Sequence, residues 1–520
     1  MNLTCYLEQN AARTPDRIGL YFKDRSWTYA EVEATINRLA NGLRGLGVQQ
    51  ADRIGVMLPN WPEFHFSSHA AWKLGAIEVP INTMYRQEEL VYILRNAEAA
   101  AVIAFPEAAE TIHAAWDQLP DLKAIVVVGG EAPAGTVPFD QILADSAPTC
   151  QAPDLHPNDL AVIAYTSGTT GFPKGAMLSH YNLTLSLQLF QQYMDFTDAD
   201  NILQCLPIFH SNASMNGIIL AWYLGSSAIL LERIESRELA ETVKRTRPAY
   251  FSCVPTVLYD ILQMPEDVQV DFSSVRYIVF GAAPTPPALR RSMEERFGLK
   301  MVQAYGMSEG PVHLALDPLD RDVKPEAVGI PLAHLAVKIV DDDDNTLPVG
   351  EVGEICAGPR TTGPYAGTFK PMVGYWKNPQ ATEEALRSGY FHTGDLGKLD
   401  EDGFLYVVDR KKDMIIRGGN NIFPAELERV LLTDPRVDEA YVVGVPHERL
   451  GDVPKAFIVL KAGAEAHEEE FKELIAARLA KYKRLEYAEF VERASLPRNA
   501  LGKVLKRELA ARERERRHRP

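Results

Sequence analysis

Over the first 400 or so residues, short unbroken apolar runs alternate with longer stretches whose apolar positions recur every three or four residues. The runs RIGVML (53–58), AAAVIAF (99–105), KAIVVV (123–128), LAVIAY (160–165) and VRYIVFG (275–281) predict buried strands, each bounded by Gly, Pro or Asn. YAEVEATINRLANGLRGLG (29–47) has the helical period and predicts an amphipathic helix. Such alternation predicts α/β layers with largely parallel sheets. The pattern then changes. GFLYVVDRKKDMIIRGG (403–419) predicts two strands around a charged turn, followed by a helix from Pro424. Strands AYVVGVP (440–446) and PKAFIVLK (454–461) and a helix EEEFKELIAARLAKY (468–482) complete a compact α+β unit of roughly a hundred residues. The expected organisation is an α/β chain with a large N-terminal domain, 1–409, and a small α+β C-terminal domain, 410–520. The turn Asp409–Asp413 marks the boundary.

Composition narrows the function classes. The 520 residues carry a net charge of −16, which argues against a nucleic-acid binder because no basic excess exists to displace phosphate counterions. Five widely spaced cysteines form no CxxC or Cys/His pattern, so neither a disulfide framework nor a zinc site is expected. With no signal-peptide pattern and no apolar stretch of ~18 residues, the expected location is cytoplasmic, without a membrane span. DDDDN (341–345) starts like a calcium loop, but Thr346 stands where glycine is needed and Val352 where the bidentate glutamate is needed. It is expected to be a hairpin turn. The Arg/Glu interleaving of the C-terminal tail predicts a solvated, ion-paired helix end.

The chemistry concentrates in AYTSGTTGFPKG (164–175), which follows a predicted strand. Its glycines allow close backbone approach to an anion, its hydroxyls add donors and Lys174 adds a point charge. The spacing is not that of a Walker loop, since Pro173 stands where Gly is required and Gly175 follows the lysine. Phosphate binding is nonetheless the expected role.

YTSGTTGFPKGAMLSH (165–180) closely resembles the phosphate-loop signature of the adenylate-forming superfamily, which spans acyl-CoA synthetases, luciferases and adenylation domains. LPIFH (206–210), GAAP (281–284), AYGMSEG (304–310), GYFHTGD (389–395), DRKKDMIIRGGNNIFPAELE (409–428) and LPRNALGKVLKREL (496–509) resemble its further motifs, in order. The resemblance runs from about residue 10 to 510. It implies an ATP-dependent acid–thiol ligase that converts a carboxylic acid to acyl-AMP and then, with coenzyme A, to acyl-CoA.

Residue roles follow from the resemblance. Thr166, Ser167, Gly168, Thr169, Thr170, Gly171 and Lys174 would hold the ATP phosphates. Gly281, Ala282, Ala283, Ala304, Tyr305, Gly306 and Met307 would border adenine, and Ser308, usually Thr in the family, would touch the α-phosphate. Glu309 would bind Mg2+, Asp395 would accept from the ribose hydroxyls with Arg410 beside it, and Lys503 would bridge the attacking carboxylate and the α-phosphate. Lys412 would be the hinge of a mobile C-terminal domain, and Arg417, Gly418 and Gly419 would line the CoA thiol's path. Thr166, Glu309, His210 and Lys503 form the implied catalytic set.

The acyl pocket would draw on Phe209, His210, Asn212, Asn216, Gly281, Gly306, Pro311 and Val312, within the segments 209–217, 251–256 and 310–313. Its apolar members favour a medium- or long-chain fatty acid; its polar members keep an aryl or substituted acid as the alternative. Loading of a carrier protein, a luciferase-like oxygenation and a non-catalytic ATP-binding scaffold are the competing readings, and a homodimer is left open. The segment TTGPYAGTFKPMVGYW (361–376) looks longer than the family's usual approach to GYW, and its sequence suggests no role.

Overall fold

The computed structural model describes the whole chain except residues 1–2, 167–172, 266, 269, 282–286, 311–312, 412, 418–419, 448–449, 499–503 and 519–520. The fold is α/β, and the chain separates into two compact units. One comprises residues 1–336 and 357–391, the other residues 337–356 and 392–520. The position 409/410 lies inside the second.

Among the described residues, the first unit holds an eight-stranded and a nine-stranded sheet. In the eight-stranded sheet, Arg53–Met57 lies between Ile77–Pro80 and Ala99–Ala104, with Ala124–Val127 beyond, all parallel. Ala99–Ala104 and Ala124–Val127 are buried at every position, as expected of strands covered on both faces. That is why they read as continuous apolar runs. Leu160–Thr166 pairs parallel with Ile77–Pro80 and turns back into the antiparallel strand Lys174–Ser179. The nine-stranded sheet has a parallel centre containing Tyr250–Cys253, Tyr277–Gly281 and Lys300–Tyr305. Its helices start where local chemistry allows. Thr28 and Glu31 form a reciprocal capping box on Tyr29–Gly45, and prolines open Pro62–Lys73, Pro106–Ala114 and Pro255–Leu262.

The second unit contains residues 337–340, 353–356, 392–399 and 405–410 of a four-stranded sheet in the order Leu335–Val340, Gly353–Pro359, Phe391–Leu399, Leu405–Arg410, and a five-stranded sheet around Gly451–Leu460. Helices Pro424–Leu431 and Glu468–Arg478 cover the latter through Leu427, Leu431, Phe471 and Ile475. The sequence predicts the second helix to 482, but it ends at Arg478: Leu479 is extended, packs on the core, and a short 3-10 turn Lys481–Lys483 follows. The acidic run is a tight hairpin. Asp341 accepts from the backbone N–H groups of Asp343 and Asn345, and Val340 bridges Thr346. Its leading carboxylate is thus committed to the turn. Helix Lys506–His518 closes the chain. Among the described residues, no helix is long and apolar enough to cross a membrane.

Candidate active site

In the first unit, the antiparallel pairing of Leu160–Thr166 with Lys174–Ser179 places Thr166 directly opposite Lys174 in register. Thr166 Oγ1 donates to Glu309 Oε1 at 2.9 Å, and the Tyr375 hydroxyl donates to the same oxygen at 3.2 Å. Lys174 Nζ lies 5.1 Å from the centre of the Tyr375 ring, a cation–π distance. Burial, followed by the charge of Glu309, pushes the Tyr375 hydroxyl above its ordinary range, so it stays a proton donor at neutral pH. Two hydroxyls, a carboxylate and an ammonium therefore meet at the facing ends of the two strands.

Tyr375 was not among the residues singled out by sequence, and the segment before it now has a physical role. Its backbone straps the site together: Met372 N–H donates to the Glu309 carbonyl at 2.8 Å, and Val373 and Trp376 N–H groups donate to the carbonyls of Met177 and Gly175. Asn182 Nδ2 donates to the carbonyls of Lys370 and Pro371, and Tyr181 OH to that of Thr368. Gly374–Tyr375 then pairs with the Lys174–Ser179 strand, opposite Met177 and Ala176. The available signal was the aromatic pair in GYW, which reads equally well as core.

Strand Lys300–Tyr305 ends on Ala304 and Tyr305, and a turn through Gly306, Met307 and Ser308, closed by Gly310 N–H on the Met307 carbonyl, presents Glu309. Gly281 pairs with Ala304, and a Cβ at 281 would sit 2.4 Å from the Ala304 carbonyl oxygen. Only glycine fits there. His210 precedes helix Ser211–Ser214, its ring 4.4 Å from that of Phe209. Burial pushes it down to about 4, so the imidazole is neutral, and its Nε2 is buried without a partner among the described residues. Beyond it, Asn212 Nδ2 donates to Ser252 Oγ at 3.4 Å, and Asn216 Nδ2 donates to Asn212 Oδ1. At Gly217 the helix is broken (φ −104°, ψ −114°), and a Cβ would lie 1.5 Å from Gln204 Oε1.

In the second unit, Asp395 is 4% exposed and faces Arg410 across the antiparallel pair, with Arg410 Nε 3.2 Å from Oδ1. Lys411 is held between Glu354, at 3.2 Å, and Asp342, at 2.9 Å. Arg417 is buried; it donates to Glu486 Oε2 at 2.6 Å and to the Arg484 carbonyl at 2.8 Å. Ser167, Gly168, Thr169, Thr170, Gly171, Ala282, Ala283, Pro311, Val312, Lys412, Gly418, Gly419 and Lys503 lie outside the described residues.

A family model described as AMP-binding enzyme matches residues 7–366, and one described as AMP-binding enzyme C-terminal domain matches residues 426–503. The chain belongs to the AMP-binding enzymes. It is thus a member of the adenylate-forming superfamily and an enzyme of its acid–CoA ligase group. It is 33% identical to a long-chain-fatty-acid–CoA ligase of Bacillus subtilis (strain 168), over 99% of this chain and 95% of the relative. It is 36% identical to a feruloyl-CoA synthase of Amycolatopsis sp., over 97% of each. The structure of the anthranilate CoA ligase AuaEII in complex with anthranoyl-AMP superposes with a TM-score of 0.90 at 28% identity, covering 99% of this chain and 98% of that one. Proteins that match nearly the whole of this chain thus differ widely in the acids their names carry.

Proposed function

We propose that this AMP-binding enzyme activates a carboxylic acid with ATP and passes the acyl group to free coenzyme A. The observation that carries the reading is the cluster of Thr166, Glu309, Tyr375 and Lys174, whose first and last members flank the Ser/Thr/Gly motif in sequence. The acid's oxygen bonds to the α-phosphorus as pyrophosphate leaves; the CoA sulfur then bonds to the acyl carbon as AMP leaves and the thiol proton departs. The obstacle is an anion approaching a polyanion, and unit charges 4 Å apart interact by ~4 kcal/mol at an effective dielectric of 20. Lys174 and Lys503 supply the opposing charge, Lys503 at the attacking oxygen and α-phosphate. Asp395 accepts from the ribose hydroxyls, with Arg410 fixing its carboxylate.

Among the described residues no group of three His, Cys, Asp or Glu side chains could hold a metal alone. A single carboxylate flanked by hydroxyls fits Mg2+ bound jointly with phosphate oxygens, so Glu309 would be its protein ligand, and the ion would neutralise phosphate charge. Residues 410–520 act as the mobile domain around Lys412, and the 417–419 backbone guides the thiol.

For the acyl group, the half-buried amide of Asn212 and the buried amide of Asn216 favour an aryl or otherwise substituted acid over a plain fatty acid. A fatty acid is the second reading, supported by the likeness to the Bacillus ligase. A panel of carboxylic acids with ATP, Mg2+ and free CoA, read by AMP release, tests the proposal. Acid- and CoA-dependent release is expected; release with none of the acids would overturn it.

A further inference from the structure

Lys174 and Glu309 carry opposite charges in one half-buried corner of the first unit, yet among the described residues neither takes part in an ion pair. They have the reach to form one. Thr166 stands opposite Lys174 in the antiparallel pairing, and residues so placed share a face of the sheet with Cβ atoms ~5 Å apart. Thr166 Oγ1 touches Glu309 Oε1 at 2.9 Å, so the carboxylate lies beside the lysine's cross-strand neighbour, within range of a flexible four-carbon stem. Tyr375 contacts both charges instead. Its hydroxyl donates to Glu309 Oε1 at 3.2 Å, and its ring centre is 5.1 Å from Lys174 Nζ. The backbone fixes the ring there. Tyr375 lies on the edge strand Gly374–Tyr375 opposite Ala176, and its N–H donates to Thr382 Oγ1 at 2.8 Å. The next residue is tied twice, Trp376 N–H to the Gly175 carbonyl at 2.7 Å and Trp376 Nε1 to the Asn96 carbonyl at 3.0 Å.

We propose that Tyr375 is a positioning residue that keeps these two charges apart: its hydroxyl holds Glu309 and its ring holds Lys174, so the ammonium stays available to ATP phosphates and the carboxylate to Mg2+. The inference rests on the reading of Lys174 and Glu309 given above and adds the residue that preserves both roles. Away from bulk water an ammonium and a carboxylate in contact attract strongly, and such a pair would withdraw both charges from the nucleotide. A neutral hydroxyl donor and a cation–π contact are each weaker than that pair. An arriving phosphate can therefore take the ammonium at little cost, without first breaking an ion pair.

The test is a double-mutant cycle read by ATP binding in calorimetry, with EDTA present so that Lys174 is probed without metal. Wild type, Tyr375→Leu, Glu309→Gln and the double variant are compared. Tyr375→Leu removes both the ring and the hydroxyl, and should weaken metal-free ATP binding roughly tenfold as Lys174 closes onto Glu309. Adding Glu309→Gln should restore most of that loss, because a glutamine cannot pair with the ammonium. The same Glu309→Gln change should do much less where Tyr375 is present. Tyr375→Phe, which keeps the ring beside Lys174, should bind metal-free ATP within about threefold of wild type. Lost packing alone would lower affinity whatever stands at 309, so an additive cycle overturns the inference, as does a Phe variant as weak as the Leu variant. Should Tyr375→Leu fail to fold, Tyr375→Met takes its place in the cycle. ATP binding with an additive cycle removes this inference alone. A wild type that binds no ATP, with or without Mg2+, removes the reading of Lys174 and Glu309 and this inference with it.

Discussion

Glu78 offers a measurable link between a buried charge and the strand that carries Thr166. It lies on Ile77–Pro80, 4% exposed, opposite Val162 of Leu160–Thr166. Ser68 Oγ donates to it at 2.8 Å, but burial dominates and pushes the carboxyl from 4.5 up to about 7. A carboxyl whose folded value is raised binds its proton more tightly when folded. Its contribution is fully present below about 4.5 and is lost as pH rises through about 7. At about 1.4 kcal/mol per pH unit, the interval amounts to ~3 kcal/mol by pH 8. Glu78→Gln keeps the shape and an acceptor for Ser68 while removing the charge. It should therefore stabilise the fold by ~3 kcal/mol at pH 8 and only ~1 kcal/mol at pH 5. Denaturant unfolding of both proteins at the two pH values measures the difference. An equal effect at both, or destabilisation at pH 8, would refute the assignment of that cost to the buried carboxylate.

Two further outcomes concern catalysis. Lys503→Ala should lower acid-dependent pyrophosphate exchange by ~3–4 kcal/mol in barrier. Conversion of pre-formed acyl-AMP to thioester should be spared; equal loss of both half-reactions would contradict the lysine's role in the first. Glu309→Gln should cut adenylation by roughly a hundredfold or more and raise the Mg2+ concentration needed for half-maximal exchange. An unchanged Mg2+ titration would remove Glu309 as the metal ligand.

Much of the architecture was legible because strands buried on both faces must be apolar throughout, as Ala99–Ala104 and Ala124–Val127 are. Thr166, Lys174 and Glu309 were legible through motifs whose spacing the hairpin and the turn after Tyr305 explain. What stayed hidden depends on partners distant in sequence. Tyr375 becomes a site residue only because Glu309, 66 positions earlier, lies beneath its hydroxyl. Arg417, read from its motif as lining a path for CoA, is buried against Glu486, a pairing with no local signature. The early end of helix Glu468–Arg478 reflects Leu479 taking a place in the core, which overrides the helical propensity of the residues after it.

The strap before Trp376 also implies an uneven tolerance to changes in chain length. Its outer bight around Gly363 and Gly367 is solvent-facing, with open space beside both glycines, although their positive φ (88° and 70°) favours glycine at those two positions. Lengthening there adds only slowly to closure entropy, ~0.6 kcal/mol per doubling. The inner rein from Lys370 to Trp376 has no such slack, because one inserted residue would carry the Tyr375 ring to the opposite face of its strand. Natural drift and engineered epitopes alike can accumulate in the first part while the second stays at fixed length, two rules of variation within sixteen consecutive positions, 361–376.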